Sequence, residues 1–301
     1  GRTIRLSRAA GGAVLSAAAR RGRGVFYTPP ELGEVVVSLT LPAEWEQRGN
    51  ETELRILDPA CGAGEFLVGA AGWLGERQVV ATLCGVDVDR LAVRAAEECL
   101  SSCAGRSELV VGDALDRELL TAESFDAIVG NPPYVSIREL AKSHGADAVA
   151  RLREQYGSAR GNFDLYAVFI ERAIELLKPG GWCGLVVPNK WATLDYARGC
   201  RELLLAQTAI EHVVDLSGCK AFRQANVYPH VLVFRKGKAR REKRVLFSMY
   251  EPAAEVCDRL GASEERQRDF AALGHREQIL ATDQHGFSRP GSAGTNEREA
   301  T

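Results

Sequence analysis

Apolar and polar positions alternate in two rhythms between about residues 25 and 235. Short apolar runs of strand length recur at 54–57, 83–86, 108–111, 127–129, 183–187, 211–216 and 230–234. Stretches with a helical period lie between them, around 64–74, 89–101, 163–178 and 193–206. In the third, Leu165, Phe169, Ala173, Ile174 and Leu177 form one apolar stripe, and Pro179-Gly180-Gly181 stops it. Strand–helix alternation predicts a mainly parallel sheet with helices on both faces. Such sheets hold their ligands outside the carboxyl ends of the strands, so the chemistry is expected just after each strand.

Composition narrows the picture. The chain has 301 residues, 46% hydrophobic and 26% charged, which suits one large α/β domain or two small ones. No apolar run reaches the roughly 18–20 residues of a membrane-spanning helix. The eight cysteines are scattered and the Cys99/Cys103 pair lacks zinc-ligand spacing, which favours a reduced, cytoplasmic chain over a disulfide scaffold. The five histidines form no metal-ligand pattern, so no metal is expected. The net charge of −2 conceals an asymmetry: residues 1–24 carry six Arg and no acid, whereas residues 25–234 carry 19 basic and 29 acidic residues. The lead-in has the composition of a transit peptide, a flexible basic segment or a phosphate-contacting arm.

The first three strand ends share a pattern. After the first comes Asp58-Pro59-Ala60-Cys61-Gly62-Ala63-Gly64-Glu65. Gly62 and Gly64 allow close backbone approach at a helix N-terminus, yet the segment is neither the GxGxxG fingerprint nor a P-loop with its Lys. An acid here suits a cationic amino-acid moiety better than a phosphate. The second strand ends in Asp87-Val88-Asp89: Asp87 is placed for two ribose hydroxyls, and Asp89 reads as a helix N-cap. The third ends in Gly112-Asp113-Ala114, with Asp113 able to accept from an exocyclic amine. Three successive strand-end acids describe a nucleoside without phosphates, which fits S-adenosyl-L-methionine and neither NAD nor ATP.

The fourth strand runs into Asn131-Pro132-Pro133-Tyr134. An aromatic exocyclic amine is a poor nucleophile because its lone pair is delocalised into the ring. If the Asn131 side-chain oxygen and the Pro132 carbonyl accept its two hydrogens, the nitrogen moves toward sp3 and can attack a methyl sulfonium in line. Pro132 and Pro133 stiffen the loop, and Tyr134 offers a face for stacking.

Together, FYTPPEL (26–32), DPACGAGEFL (58–67), GVDVD (85–89), GDAL (112–115), NPPY (131–134) and NFDLYAVFIERAIELLKPGG (162–181) resemble the adenine-N6 DNA methyltransferases of the type IIG restriction–modification kind. The resemblance covers about residues 23–236. It implies a class I, Rossmann-like fold with a seven-stranded, mostly parallel sheet whose last strand is antiparallel. It implies methyl transfer to the N6 amine of an adenine flipped out of double-stranded DNA. The cofactor set becomes Tyr27, Thr28, Pro29, Asp58, Ala60, Gly62, Gly64, Asp87, Val88, Asp113, Ala114 and Asn131. The catalytic set becomes Asn131, Pro132, Pro133, Tyr134 and Phe222, with Phe222 sandwiching the base against Tyr134.

Residues 1–24 are expected to be a basic lead-in, 25–236 the catalytic domain, 237–283 a linker or the start of a C-terminal region, and 284–301 a disordered tail. About 57 residues follow Arg244, fewer than the DNA-reading domain of that family, and no nuclease motif is visible. A missing or separate target-recognition partner is therefore expected. Two other readings stay open. One is N-methylation of a release-factor glutamine or an rRNA guanine; the other is a cofactor-binding remnant without catalysis.

Overall fold

The computed structural model describes residues 30–47, 53–103, 105–216, 228–237, 245–249 and 277–280, the last two segments by backbone alone. Outside the described residues lie the lead-in, Tyr27, Thr28, Pro29, Phe222 and the 284–301 tail.

Five parallel strands come first: β1 (Leu54–Asp58), β2 (Ala81–Asp87), β3 (Arg106–Val111), β4 (Phe125–Gly130) and β5 (Leu177–Pro188). Then β6 (Thr208–Asp215) and β7 (Pro229–Lys236) close the expected set, with β7 antiparallel to both β5 and β6. The seven expected strands are all present. Two more, β8 (Val245–Met249) and β9 (Glu277–Leu280), extend the same sheet beyond residue 236. Among the described residues the order is β3-β2-β1-β4-β5-β7-β6-β8-β9.

Helices α1 (Pro30–Thr40), α2 (Glu65–Arg77) and α3 (Arg90–Leu100) cover one face, where Val36, Leu67 and Ala96 pack on Ile56, Leu83 and Val129. Helices α4 (Ile137–His144), α5 (Ala146–Gln155), α6 (Leu165–Leu176), α7 (Lys190–Thr193) and α8 (Arg198–Gln207) belong to the other side. There Tyr166, Ile170 and Leu204 meet Leu57, Ile128 and Leu185. Consecutive residues of the central strands are thus buried on opposite faces, as their unbroken apolar runs require.

Two boundaries differ from expectation. Helix α6 ends at Leu176 and β5 starts at Leu177; pairing jumps from Phe125↔Leu177 to Ala127↔Trp182, so the Pro-Gly-Gly turn sits within a strand irregularity, with Gly180 at φ 80°. The helix expected at 193–206 is broken, because Leu194 is extended (ψ 146°) between α7 and a 3-10 turn at Asp195–Ala197. Helices α4 and α5, absent from the sequence reading, are inserted between β4 and α6. They therefore stand at the carboxyl edge of the sheet.

Candidate active site

The chain passes from β1 through β2 to β3 on one side and then crosses to β4 on the other. Strand β1 pairs with both β2 and β4, and the order reverses there. A crevice at the carboxyl ends of β1 and β4 follows from that reversal, and both sequence motifs flank it.

On the β1–β3 side, backbone amides and carboxylates shape the floor. Gly62 (φ 54°) and Gly64 (φ 91°) take left-handed conformations that a side chain would strain. Gly64 also lies so near Ala96 that an added Cβ would come to 3.1 Å of its Cβ. The turn is locked onto β2: Cys61 N donates to Val86 O (2.9 Å) and Gly62 N to Asp87 Oδ2 (2.9 Å). Asp87 Oδ1 accepts from Asp89 N (2.8 Å), leaving each oxygen a further lone pair for hydroxyl donors. Asp89 caps α3 through Leu91 N (2.9 Å), as read from the sequence. Val88 is 73% exposed beside Asp87, an open apolar surface for a planar group. Asp113 is exposed, folds its own turn by accepting from Leu115 N (2.9 Å), and is followed by buried Ala114.

Asp58 is fully buried. Its Oδ1 accepts from Ala60 N (3.0 Å), whereas Oδ2 is buried without a hydrogen-bond partner. Burial pushes its pKa well above the usual carboxylate range; the Ala60 amide opposes this, and the charges of Asp87 and Glu65 add to it. A buried acceptor with a vacant oxygen suits an ammonium group, and the Gly62–Gly64 cradle admits close approach. These residues fit S-adenosylmethionine. Cys61, in the same turn, has its thiol pKa raised, chiefly by burial and then by Asp58 and Asp87, so it stays protonated and is no nucleophile.

On the β4 side, Gly130 touches Asp58: a Cβ there would sit 2.6 Å from Asp58 Oδ1. Glycine at this position lets the buried acid lie directly beneath the start of the Asn131 loop. Asn131 and Pro133 are half-buried and Pro132 is buried. Tyr134 donates its hydroxyl to Val186 O on β5 (3.0 Å), and its ring meets Tyr166 edge to face (centroids 6.4 Å, 84°). Burial raises the Tyr134 pKa, so the phenol remains a donor.

One residue of the site's frame was not singled out from the sequence. Arg172 of α6, only 2% exposed, donates to Ala114 O (3.0 Å), Asp116 O (3.2 Å) and Leu120 O (2.9 Å), and pairs with Glu175 (3.1 Å). Its signal was a lone Arg inside an apolar helix stretch. Among the described residues no His, Cys, Asp or Glu group could hold a metal ion, and no helix is long and apolar enough to cross a membrane.

This sheet order, the glycine turn after β1, the carboxylate at the end of β2 and the antiparallel β7 define the class I S-adenosylmethionine-dependent methyltransferase fold. Comparison with known proteins agrees. The Eco57I restriction-modification methylase family matches residues 113–222, and the RMKL-like methyltransferase domain matches 46–144. The chain is 30% identical to the type II methyltransferase M.BanIII of Aneurinibacillus aneurinilyticus over 67% of this chain and 37% of that protein. It is 34% identical to M.TthHB8I of Thermus thermophilus over 73% of this chain and 46% of that protein. The chain thus spans less than half the length of these relatives. In fold it matches a class I S-adenosylmethionine-dependent methyltransferase from Listeria monocytogenes (TM-score 0.62, 20% identity, 77% of this chain and 69% of that one). It also matches a DrdV–DNA complex (TM-score 0.63, 18% identity, 89% and 31%). In sequence the chain resembles the DNA methyltransferases of restriction–modification systems, and its fold is that of the class I S-adenosylmethionine-dependent methyltransferases.

Proposed function

We propose that this chain transfers a methyl group from S-adenosylmethionine to the N6 amine of an adenine extruded from duplex DNA. The observation that carries the reading is the contact at the switch point: buried Asp58, with its vacant oxygen, lies against Gly130, and Asn131 follows. Cofactor and amine sites thereby share one wall. S-adenosylmethionine supplies the electrophilic methyl. Asp58 accepts from its ammonium, Asp87 from the ribose hydroxyls, Asp113 from the adenine amine, and Val88 stacks on that ring. Asn131 Oδ1 and the Pro132 carbonyl accept the two hydrogens of the target amine, and Tyr134 stacks on the extruded base. Tyr27, Thr28 and Pro29 are assigned to the methionine end and Phe222 to the second face of the base, on resemblance alone.

The DNA backbone needs cations, and the 25–234 stretch is acidic in sum. The α4–α5 insert is a local exception. Residues 137–160 hold Arg138, Lys142, Arg151, Arg153 and Arg160 against Glu139, Asp147 and Glu154, and all five cations are exposed. Arg138, Arg153 and Asn162 line the cleft between the two helices. We assign this face to phosphates flanking the extruded base. A recognition element beyond this chain, or in a separate subunit, belongs to the same reading.

The test is incubation of the chain with methyl-labelled cofactor and mixed-sequence DNA, followed by digestion to nucleosides. Label in N6-methyl-2′-deoxyadenosine is expected. Intact cofactor binding with no labelled DNA overturns the reading, and label in guanine or in protein glutamine redirects it.

A further inference from the structure

We propose that Asp164, Tyr196 and Tyr166 form a hydrogen-bonded positioning chain that sets the ring plane of Tyr134; this rests on the adenine reading above. The proton inventory fixes its direction. Tyr196 has one hydroxyl hydrogen and donates it to Asp164 Oδ2 (2.7 Å). The 2.8 Å contact between the two tyrosine hydroxyls is then a donation from Tyr166 to Tyr196. The chain runs from a fully buried phenol to a carboxylate, which makes its last bond charge-assisted.

Asp164 occupies the N-cap position of α6 in extended conformation (φ −103°, ψ 147°), where a carboxylate normally accepts from the first helical amides. It makes no such bond. The side chain is committed to Tyr196 instead. Packing alone would not select three polar groups here, since Phe163 and Phe169 fill the same core without any.

At its other end the chain meets Tyr134. The Tyr134 hydroxyl is held by Val186 O, which fixes the tip of the ring but leaves rotation about its long axis. The T-shaped contact with the Tyr166 ring, at 84°, opposes that rotation. The backbone around Asp164 clips the same loop: Leu165 N donates to Val135 O (2.9 Å) and Ile137 N to Phe163 O (3.1 Å), around a bridge between Ser136 and Asp164. Tyr196 sits in the turn after α7, so the chain also ties the loop following β5 to the catalytic loop. Burial keeps both phenols protonated and able to donate.

These three are positioning residues. Tyr196→Phe removes both hydroxyl contacts and Asp164→Asn removes the carboxylate's charge, each with little change of volume, so the pair separates positioning from folding. The wild-type chain first identifies a methylated site. Single-turnover methylation is then measured on a duplex with that site, and fluorescence on one with 2-aminopurine at the target adenine. We expect each variant to lose on the order of tenfold in methyl-transfer rate, with unchanged cofactor affinity and only a modest fall in melting temperature, in Tyr196→Phe because the buried Tyr166 hydroxyl loses its partner. The extruded 2-aminopurine should be brighter, because it stacks less closely on Tyr134. Tyr166→Phe, which keeps the ring edge, should fall between wild type and Tyr196→Phe. Wild-type rate and fluorescence in both variants overturn the positioning chain alone. A wild-type chain that binds cofactor and labels no adenine overturns the adenine reading and this proposal with it. Equal loss of rate, melting temperature and cofactor affinity assigns the three residues to the fold and also overturns the proposal.

Discussion

The two halves of the crevice are built by different means. On the β1–β3 side the strand-end acids accept from residues next to a strand end: Ala60 to Asp58, Gly62 and Asp89 to Asp87, Leu115 to Asp113. Backbone amides and short acids do the shaping, and two left-handed glycines make room. On the β4–β5 side the key side chain is held by residues far away in sequence. Tyr134 reaches Val186, and Tyr166 reaches Tyr196, 52 and 30 positions on. A pocket for a constant small cofactor can be written in short local words. The base platform proposed for Tyr134 needs rigidity, and long-range packing supplies it.

That division can be broken deliberately. The largest effect is expected on the β4 side: Asn131→Ala should lower kcat by on the order of 10²–10³, as for loss of a transition-state hydrogen bond. Cofactor affinity measured by calorimetry should stay the same, and a matching loss of affinity would show that the halves are not separable. Gly130→Ala attacks the seam itself. Its Cβ would collide with Asp58 Oδ1, a contact of 2.6 Å, and should cost about 1–3 kcal/mol of stability in urea unfolding. Cofactor affinity and rate should fall together, in contrast to Asn131→Ala.

A subtler probe uses protons. The Asp58 pKa is raised in the folded protein, so its neutral form stabilises fully below the ordinary carboxylate pKa. That contribution is lost as pH rises toward the folded value, at about 1.4 kcal/mol per pH unit for one proton. Asp58→Asn should flatten the urea-derived stability profile across this window. If Asp58 ionises to meet the cofactor's ammonium, binding releases a proton, and affinity should rise by about tenfold per pH unit at most. Calorimetry in buffers of different ionisation enthalpy measures that proton; none released places the ammonium elsewhere. The smallest effect belongs to the outer rim. Arg138→Gln with Arg153→Gln should weaken binding to all DNA sequences alike and reduce the slope of log affinity against log salt by roughly 1–2. An unchanged slope would remove the α4–α5 face from the phosphate contacts.

The contrast also explains what could be read from the sequence. The placement of Asp58, Gly62, Asp87, Asp89 and Asp113 was legible because each lies within a few residues of a recognisable strand end. Asn131 to Tyr134 were legible as a motif, but what holds Tyr134 was not, since neither Val186 nor Tyr166 signals its partner locally. Helices α4 and α5 were missed, although Ser136 and Glu139 form the reciprocal capping box that marks a helix start. At 8 and 10 residues, both are short and charge-rich, so no long apolar stripe announced them. Strands β8 and β9 are short, five and four residues, and follow the basic 235–244 cluster, where no strand–helix alternation marks them. The Pro179-Gly180-Gly181 stop was right about the helix, yet the strand begins at once because pairing simply steps over the turn.

Arg172 carries a consequence for motion. Its guanidinium gathers three carbonyls from the segment following Asp113, and Tyr156 adds a fourth tie through its hydroxyl to Leu115 O (2.7 Å). The amides of residues 114–120 should therefore not exchange with solvent as a surface loop does. They should exchange with α6, as one cooperative opening unit. The turn after β3 then opens together with the helix behind the Asn131–Tyr134 loop, so the two ends of the crevice share a single clock.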